Sequence, residues 1–171
     1  FAKALKLNFK KRDGYLEADN AVVTWCVGHL VTMSYPEVYD EALKRWTLDT
    51  LPFLPQDFKY EVIPSVSKQF NIVKALLNRA DIERIYVCTD SGREGEYIYR
   101  LVDQMAGVPA TKDKRRVWID SQTEEEILRG IREAKDLSEY DNLGSAAYLK
   151  AKEDYLMGIN FSRVLTLKYG D

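Results

Sequence analysis

Histidine and cysteine are scarce in these 171 residues: His29 stands alone, and Cys26 and Cys88 are the only thiols. Neither thiol belongs to a Cys-x-x-Cys pair, so a zinc site and a disulfide framework are excluded, and both read as buried free thiols of a reducing compartment. No stretch approaches 18 apolar residues and no signal peptide opens the chain, which predicts a cytoplasmic protein with no membrane span. Charge of one sign is also lacking. Twenty-five Lys and Arg stand against 27 Asp and Glu, a net charge of −2, which argues against a general nucleic-acid binder. Internal repeats and low-complexity segments are absent too.

What is present describes a globular chain, 46% hydrophobic and 30% charged, long enough for one domain and the start of a second. Residues 1–7 read as a helix tail, 14–20 as a turn region and 21–27 as a β-branched strand. A loop or short helix over 36–46 and a proline-punctuated cover over 47–56 lead to a short strand at 60–63. Val66, Phe70, Val73, Leu76 and Leu77 repeat at helical spacing within 65–79. A strand over 84–89 and a helix over 93–105 follow, the helix stopped by Gly107 and Pro109. Residues 117–119 read as a buried strand, and Thr123-x-x-Glu126 as a capping box opening a helix to about residue 135. This alternation predicts an α/β fold: a mainly parallel, Rossmann-like sheet flanked by helices. From residue 139 the pattern becomes all-helical, over 140–157, with a break at 158–160. The expected division is therefore 1–138 and 139–171.

The most informative segment is Cys88-Thr-Asp-Ser-Gly-Arg-Glu-Gly-Glu-Tyr-Ile98. A strand delivers Asp90 to its carboxyl end, Ser91 and Gly92 turn the chain, and Arg93 opens a helix bearing Glu94 and Glu96. Open α/β sheets place their ligands at this end of a strand, and clustered carboxylates call for a hard cation such as Mg²⁺. Acidic residues in a first helical turn also favour the helix dipole with no metal. The strand before and the Arg-Glu-Gly-Glu string after tilt the reading toward a site.

Two basic stretches supply local positive charge that the net charge hides: Lys112, Lys114, Arg115 and Arg116, and then Lys150, Lys152, Arg163 and Lys168. Screening confines electrostatics to about 8–10 Å, so such patches can bind phosphate on a near-neutral protein. Either is also compatible with a solvated face, for instance through Lys150 pairing with Asp154. His29, at a strand end, fits a structural role better than a catalytic one. Trp25 and Trp118 read as core. Tyr97 and Tyr99 read as packing or surface residues, and Ser121 and Thr123 as helix caps, since no histidine base stands near them.

The acidic string resembles the motif of the Toprim domain. Four blocks extend that likeness: Trp25-Cys-Val-Gly-His-Leu30, Thr89-Asp-Ser-Gly-Arg-Glu-Gly-Glu96, Arg116-Val-Trp-Ile-Asp-Ser-Gln-Thr123 and Tyr155-Leu-Met-Gly-Ile-Asn-Phe-Ser-Arg-Val-Leu-Thr166. In this order the chain resembles the type IA DNA topoisomerases, and its Gly-Ile-Asn-Phe-Ser-Arg block resembles the topoisomerase III branch.

The resemblance implies a Toprim domain followed by the first helices of a domain that cradles single-stranded DNA. It implies an enzyme that cuts one DNA strand with a tyrosine, passes another strand through and reseals the break, with Mg²⁺ at the acidic site and no small-molecule cofactor. Asp90 and Glu94 match the motif's catalytic metal ligands, Glu96 a supporting position behind them, and Arg93 a phosphate contact. Lys150, Lys152 and Arg163 match a basic helix that would lie along a DNA backbone. Gly92 stands where many relatives carry a second Asp, which implies weaker cation binding. The family's first strand, with its Glu and Lys-Pro-Ser, is expected before Phe1, and the nucleophilic tyrosine beyond Asp171. None of the eleven tyrosines present has the expected context, so the chain is expected not to relax DNA alone. Two other readings stay open: a catalytically silent DNA-binding or scaffolding Toprim module, and another Toprim enzyme such as a primase or nuclease.

Overall fold

The computed structural model describes residues 1–170. A one-turn helix, α1 (Ala2–Leu5), leads into three antiparallel strands, β1 (Lys10–Arg12), β2 (Tyr15–Ala18) and β3 (Ala21–Thr24). Most of the turn region expected over 14–20 is thus strand. Tyr15 and Leu16 pair with Thr24 and Val23, and the turn-forming residues Asp13-Gly14 and Asp19-Asn20 lie between the strands. Next, β4 (Val31–Met33) pairs antiparallel with β5 (Tyr60–Val62). Between them lie α2 (Pro36–Tyr39) and the irregular cover expected over 47–56. Asn160 clamps that cover from far along the chain. Its Oδ1 accepts from the Phe53 amide at 2.6 Å, and its Nδ2 donates to the Phe53 carbonyl at 3.0 Å.

Helix α3 (Ser67–Leu77) buries Phe70, Val73, Leu76 and Leu77, the face its periodicity predicts. Strand β6 (Arg84–Val87) turns Ile85 and Val87 inward and Arg84 and Tyr86 outward. Helix α4 (Arg93–Ala106) ends where Gly107 turns left-handed, at φ 65°, so that its amide can reach back to the last carbonyls. Strand β7 (Asp113–Arg116) lies parallel to β6, with Arg116 opposite Val87. Helix α5 (Glu124–Arg132) starts at Thr123, whose Oγ1 accepts from the Glu126 amide at 3.3 Å. Strand β8 (Lys135–Asp136) returns antiparallel to β7, and α6 (Asp141–Tyr169) completes the chain.

Three further expectations need correction. The sheet is not mainly parallel: among the described residues only β6 and β7 run parallel, because only the β6–α4–β7 segment is a helical crossover. The strand placed at 117–119 begins earlier, over Asp113–Arg116, where pairing with β6 and β8 fixes it despite its charge. Finally, α6 runs through Gly158 without a break. An interior glycine costs a helix about 1 kcal/mol, and α6 is anchored to the rest of the chain on both sides of Gly158. Tyr155 donates to the Ser34 carbonyl at 2.6 Å, and Arg163 to the Leu43 carbonyl at 2.8 Å.

One core joins these parts. Leu30, just before β4, and Val31 of β4, Phe70 and Val73 from α3, Val87 from β6, and Leu101 and Val102 from α4 share it with Ala147 of α6. Burying each Leu or Val side chain contributes about 1.5–3 kcal/mol. The first half of α6 therefore packs on the same core as the strands. Among the described residues no helix is long and apolar enough to cross a membrane.

Candidate metal centre

The acidic loop grows out of β6 because Ile85 and Val87 anchor that strand in the core while the chain leaves it at Cys88. Gly92 then adopts φ +155°, a backbone conformation that L side chains rarely take, and its carbonyl accepts from the Glu96 amide at 3.1 Å. Helix α4 starts immediately afterwards and approaches the loop closely. A Cβ at Gly95 would overlap the Asp90 carbonyl oxygen, so only glycine allows this first turn. Two further bonds pin the loop. Thr89 Oγ1 donates to the Gly95 carbonyl at 2.8 Å, and Ser91 Oγ accepts from the Ile119 amide at 3.0 Å.

Asp90, Arg93 and Glu94 are exposed on this rim. Glu94 pairs through Oε1 with Nε2 of His29, whose ring lies edge-on to Tyr97 at 6.0 Å. The chain's one histidine thus reaches the acidic loop from 65 residues away. No local pattern signals this; the strand-end position of His29 is the one hint the sequence offers.

Glu96 is placed differently from the expected cluster of three loop carboxylates. It is fully buried, paired with Arg116 and, at 2.9 Å, with Arg100. Helical geometry accounts for this, since residues 94 and 96 point about 200° apart around α4, one to solvent and one to the core. Among the described residues, no group of three or more His, Cys, Asp or Glu side chains converges as a metal cage. Asp90 and Glu94 remain two hard oxygen donors on an exposed rim. That set fits Mg²⁺, which binds through one or two carboxylates and keeps much of its water.

The first basic stretch is used internally. Lys112 Nζ donates to the Leu77 and Arg79 carbonyls at 2.8 and 3.0 Å, Lys114 pairs with Asp103 at 2.7 Å, and Arg116 is fully buried. Lys150 is exposed and pairs with Asp154 at 3.0 Å, one turn along α6. Lys152 Nζ lies 5.0 Å over the Phe58 ring. Arg163 corrects an expectation: it is only 5% exposed, its guanidinium donating to Leu43 and lying over the Trp46 ring at 5.1 Å. It closes the cover loop instead of facing outward. Burial pushes the Cys88 thiol up to about 11 and also raises Cys26, and both are free.

A family model of the Toprim domain matches residues 3–121, from α1 through the acidic loop to the segment between β7 and α5. The chain belongs to the Toprim family. It is 42% identical over 168 residues to DNA topoisomerase 3 of Bacillus subtilis (strain 168), which covers 98% of this chain and 23% of that protein. DNA topoisomerase 3 of Staphylococcus aureus (strain MRSA252) is 44% identical over the same shares. The chain thus spans about a quarter of the length of the curated relatives it matches, 23% of each. The Toprim match takes in Asp90, Glu94, Arg116 and His29, whereas Lys150, Lys152 and Arg163 lie beyond it.

Proposed function

We propose that this chain is the Toprim part of a type IA DNA topoisomerase of the topoisomerase III kind, acting on single-stranded DNA in the cytoplasm. The observation that carries the reading is alignment of 98% of the chain with DNA topoisomerase 3, with Asp90 and Glu94 left exposed where the acidic loop leaves the strand. Asp90 and Glu94 would hold Mg²⁺, His29 would fix one oxygen of Glu94 and leave the other to ligate, and Arg93 would meet a DNA phosphate. The bound cation would supply charge neutralisation at the phosphoryl centre during cleavage and rejoining. Lys150, exposed on α6, and Lys152, half-buried on another face of that helix beside the Phe58 ring, would add sequence-tolerant backbone contacts. Residues 1–138 would form the Toprim domain and 139–171 the start of the helical DNA-binding domain.

The test is a Mg²⁺ and Mn²⁺ titration followed by amide chemical shifts. Saturable shifts centred on residues 90–96, abolished by Asp90→Asn or Glu94→Gln, are expected. The absence of a third convergent acid among the described residues and the glycine at position 92 favour the alternative of a silent scaffolding module. A folded sample with no saturable shifts would select it.

A further inference from the structure

One guanidinium gathers the main chain around the acidic loop. Arg116, fully buried, donates through Nη1 to the carbonyls of Val87, Thr89 and Val117 at 3.0, 2.8 and 3.0 Å, and through Nη2 to the Asp90 carbonyl at 2.6 Å. Its Nε donates to Glu96, itself without exposed surface. The Thr89 and Asp90 carbonyls belong to the two peptide planes flanking the Asp90 Cα. Holding both planes from one rigid fork sets the direction of the Asp90 side chain without touching it. The Trp118 ring, 5.2 Å from the guanidinium and stacked on Tyr140 at 5.2 Å, closes the remaining face.

The other oxygen of Glu96 leads away from the loop. It accepts from Arg100 Nε at 2.9 Å, while Arg100 Nη1 donates to Asp141 Oδ1 at 2.9 Å and Nη2 to the Leu137 carbonyl at 3.1 Å. Asp141 is the first residue of α6. Gly144, one turn on, leaves the space Arg100 occupies: a Cβ there would lie 2.6 Å from Nε and 2.8 Å from Cζ. We infer that Arg116 is a positioning residue for Asp90, oriented by Glu96, and that Arg100 links this pair to the start of α6. A displacement of α6 is thereby felt at the acidic loop. As a statement about metal binding this rests on the topoisomerase reading; as a statement about the loop it does not.

The experiment uses the full 171-residue chain, first without metal. In Arg116→Lys, which cannot reproduce the fork, the ¹³C carbonyl signals of Thr89 and Asp90 should move and residues 89–92 should gain nanosecond mobility, with α3 signals unchanged. The Mn²⁺ dissociation constant should then rise about tenfold or more, as when supports behind metal ligands are removed. Gly144→Ala, whose added Cβ would press first on Arg100, should shift the same carbonyl signals by a smaller amount. If Arg116→Lys does not fold, the apolar pair Glu96→Leu with Arg116→Met, a kind of replacement buried ion pairs often tolerate, should fold and show the same loosening. Unchanged Thr89 and Asp90 signals in the folded Arg116 variant overturn the positioning role. Unchanged signals in Gly144→Ala overturn the link to α6. Responses at 89–92 in a chain that binds no Mn²⁺ would uphold the positioning and sink the proposed function.

Discussion

At the residue scale, glycine decides the shape of the acidic loop, and position 92 is where that has a consequence for binding. Many Toprim relatives are expected to carry Asp there, which suggests that Gly92→Asp would simply add a ligand. The φ of +155° at Gly92 argues otherwise, because a side chain there would hold the backbone in a rarely populated region at about 1–3 kcal/mol. Gly92→Asp is therefore expected to lower the midpoint of thermal unfolding and to leave Mg²⁺ binding no tighter. Tighter binding at unchanged stability would show that the loop relaxes freely. Asp90, Glu94 and Gly92 are legible in the sequence because their chemistry is local. His29 beside Glu94 and the buried Glu96–Arg116 pair are not, since 65 and 20 residues separate the partners.

At the element scale, strands and helices with an apolar period are readable, and those whose residues are charged are not. Helix α3 and strand β6 follow their spacing closely. Strand β7 is written Asp113-Lys-Arg-Arg116 and exists because β6 lies on one side and β8 on the other. Gly158 predicts a break in helix α6, yet that position is exposed, helical, and a Cβ there would meet nothing within 4 Å. Gly158→Ala should stabilise the chain by about 1 kcal/mol, read as a higher urea midpoint. A lower midpoint would mean that the glycine marks a real hinge. Gly130 behaves oppositely: a Cβ there would overlap Ile119, so the same substitution in α5 should destabilise by about 1–3 kcal/mol.

At the scale of the whole molecule, surface ion pairs set the acid limit of stability. Hydrogen bonds from Arg79, Arg84 and Arg129 hold the carboxyls of Asp81, Asp113 and Glu126 below their ordinary values, and the Ser138 amide does so for Asp136. A depressed folded value gives stability that is complete above the unfolded value, near 4, and is lost as pH falls through the folded one. The urea midpoint should be level from neutral pH to about 5 and fall below about 4. A midpoint that rises on acidification would contradict these pairs. The proposed function also makes a whole-molecule prediction: without a tyrosine in the expected context, this chain should leave supercoiled plasmid unrelaxed in Mg²⁺. Any relaxation by the pure chain would place the nucleophile within it.

The acidic loop, the periodic helices and the family resemblance are written along the chain, because short motifs and apolar spacing are properties of neighbouring residues. Which charges face solvent is a matter of folding alone. Arg116 and Arg163 look alike in sequence to Lys150, yet folding buries the first two among carbonyls and leaves the third exposed. A guanidinium can enter the interior when several acceptors meet it there. Those acceptors come from distant segments, so no local pattern announces them.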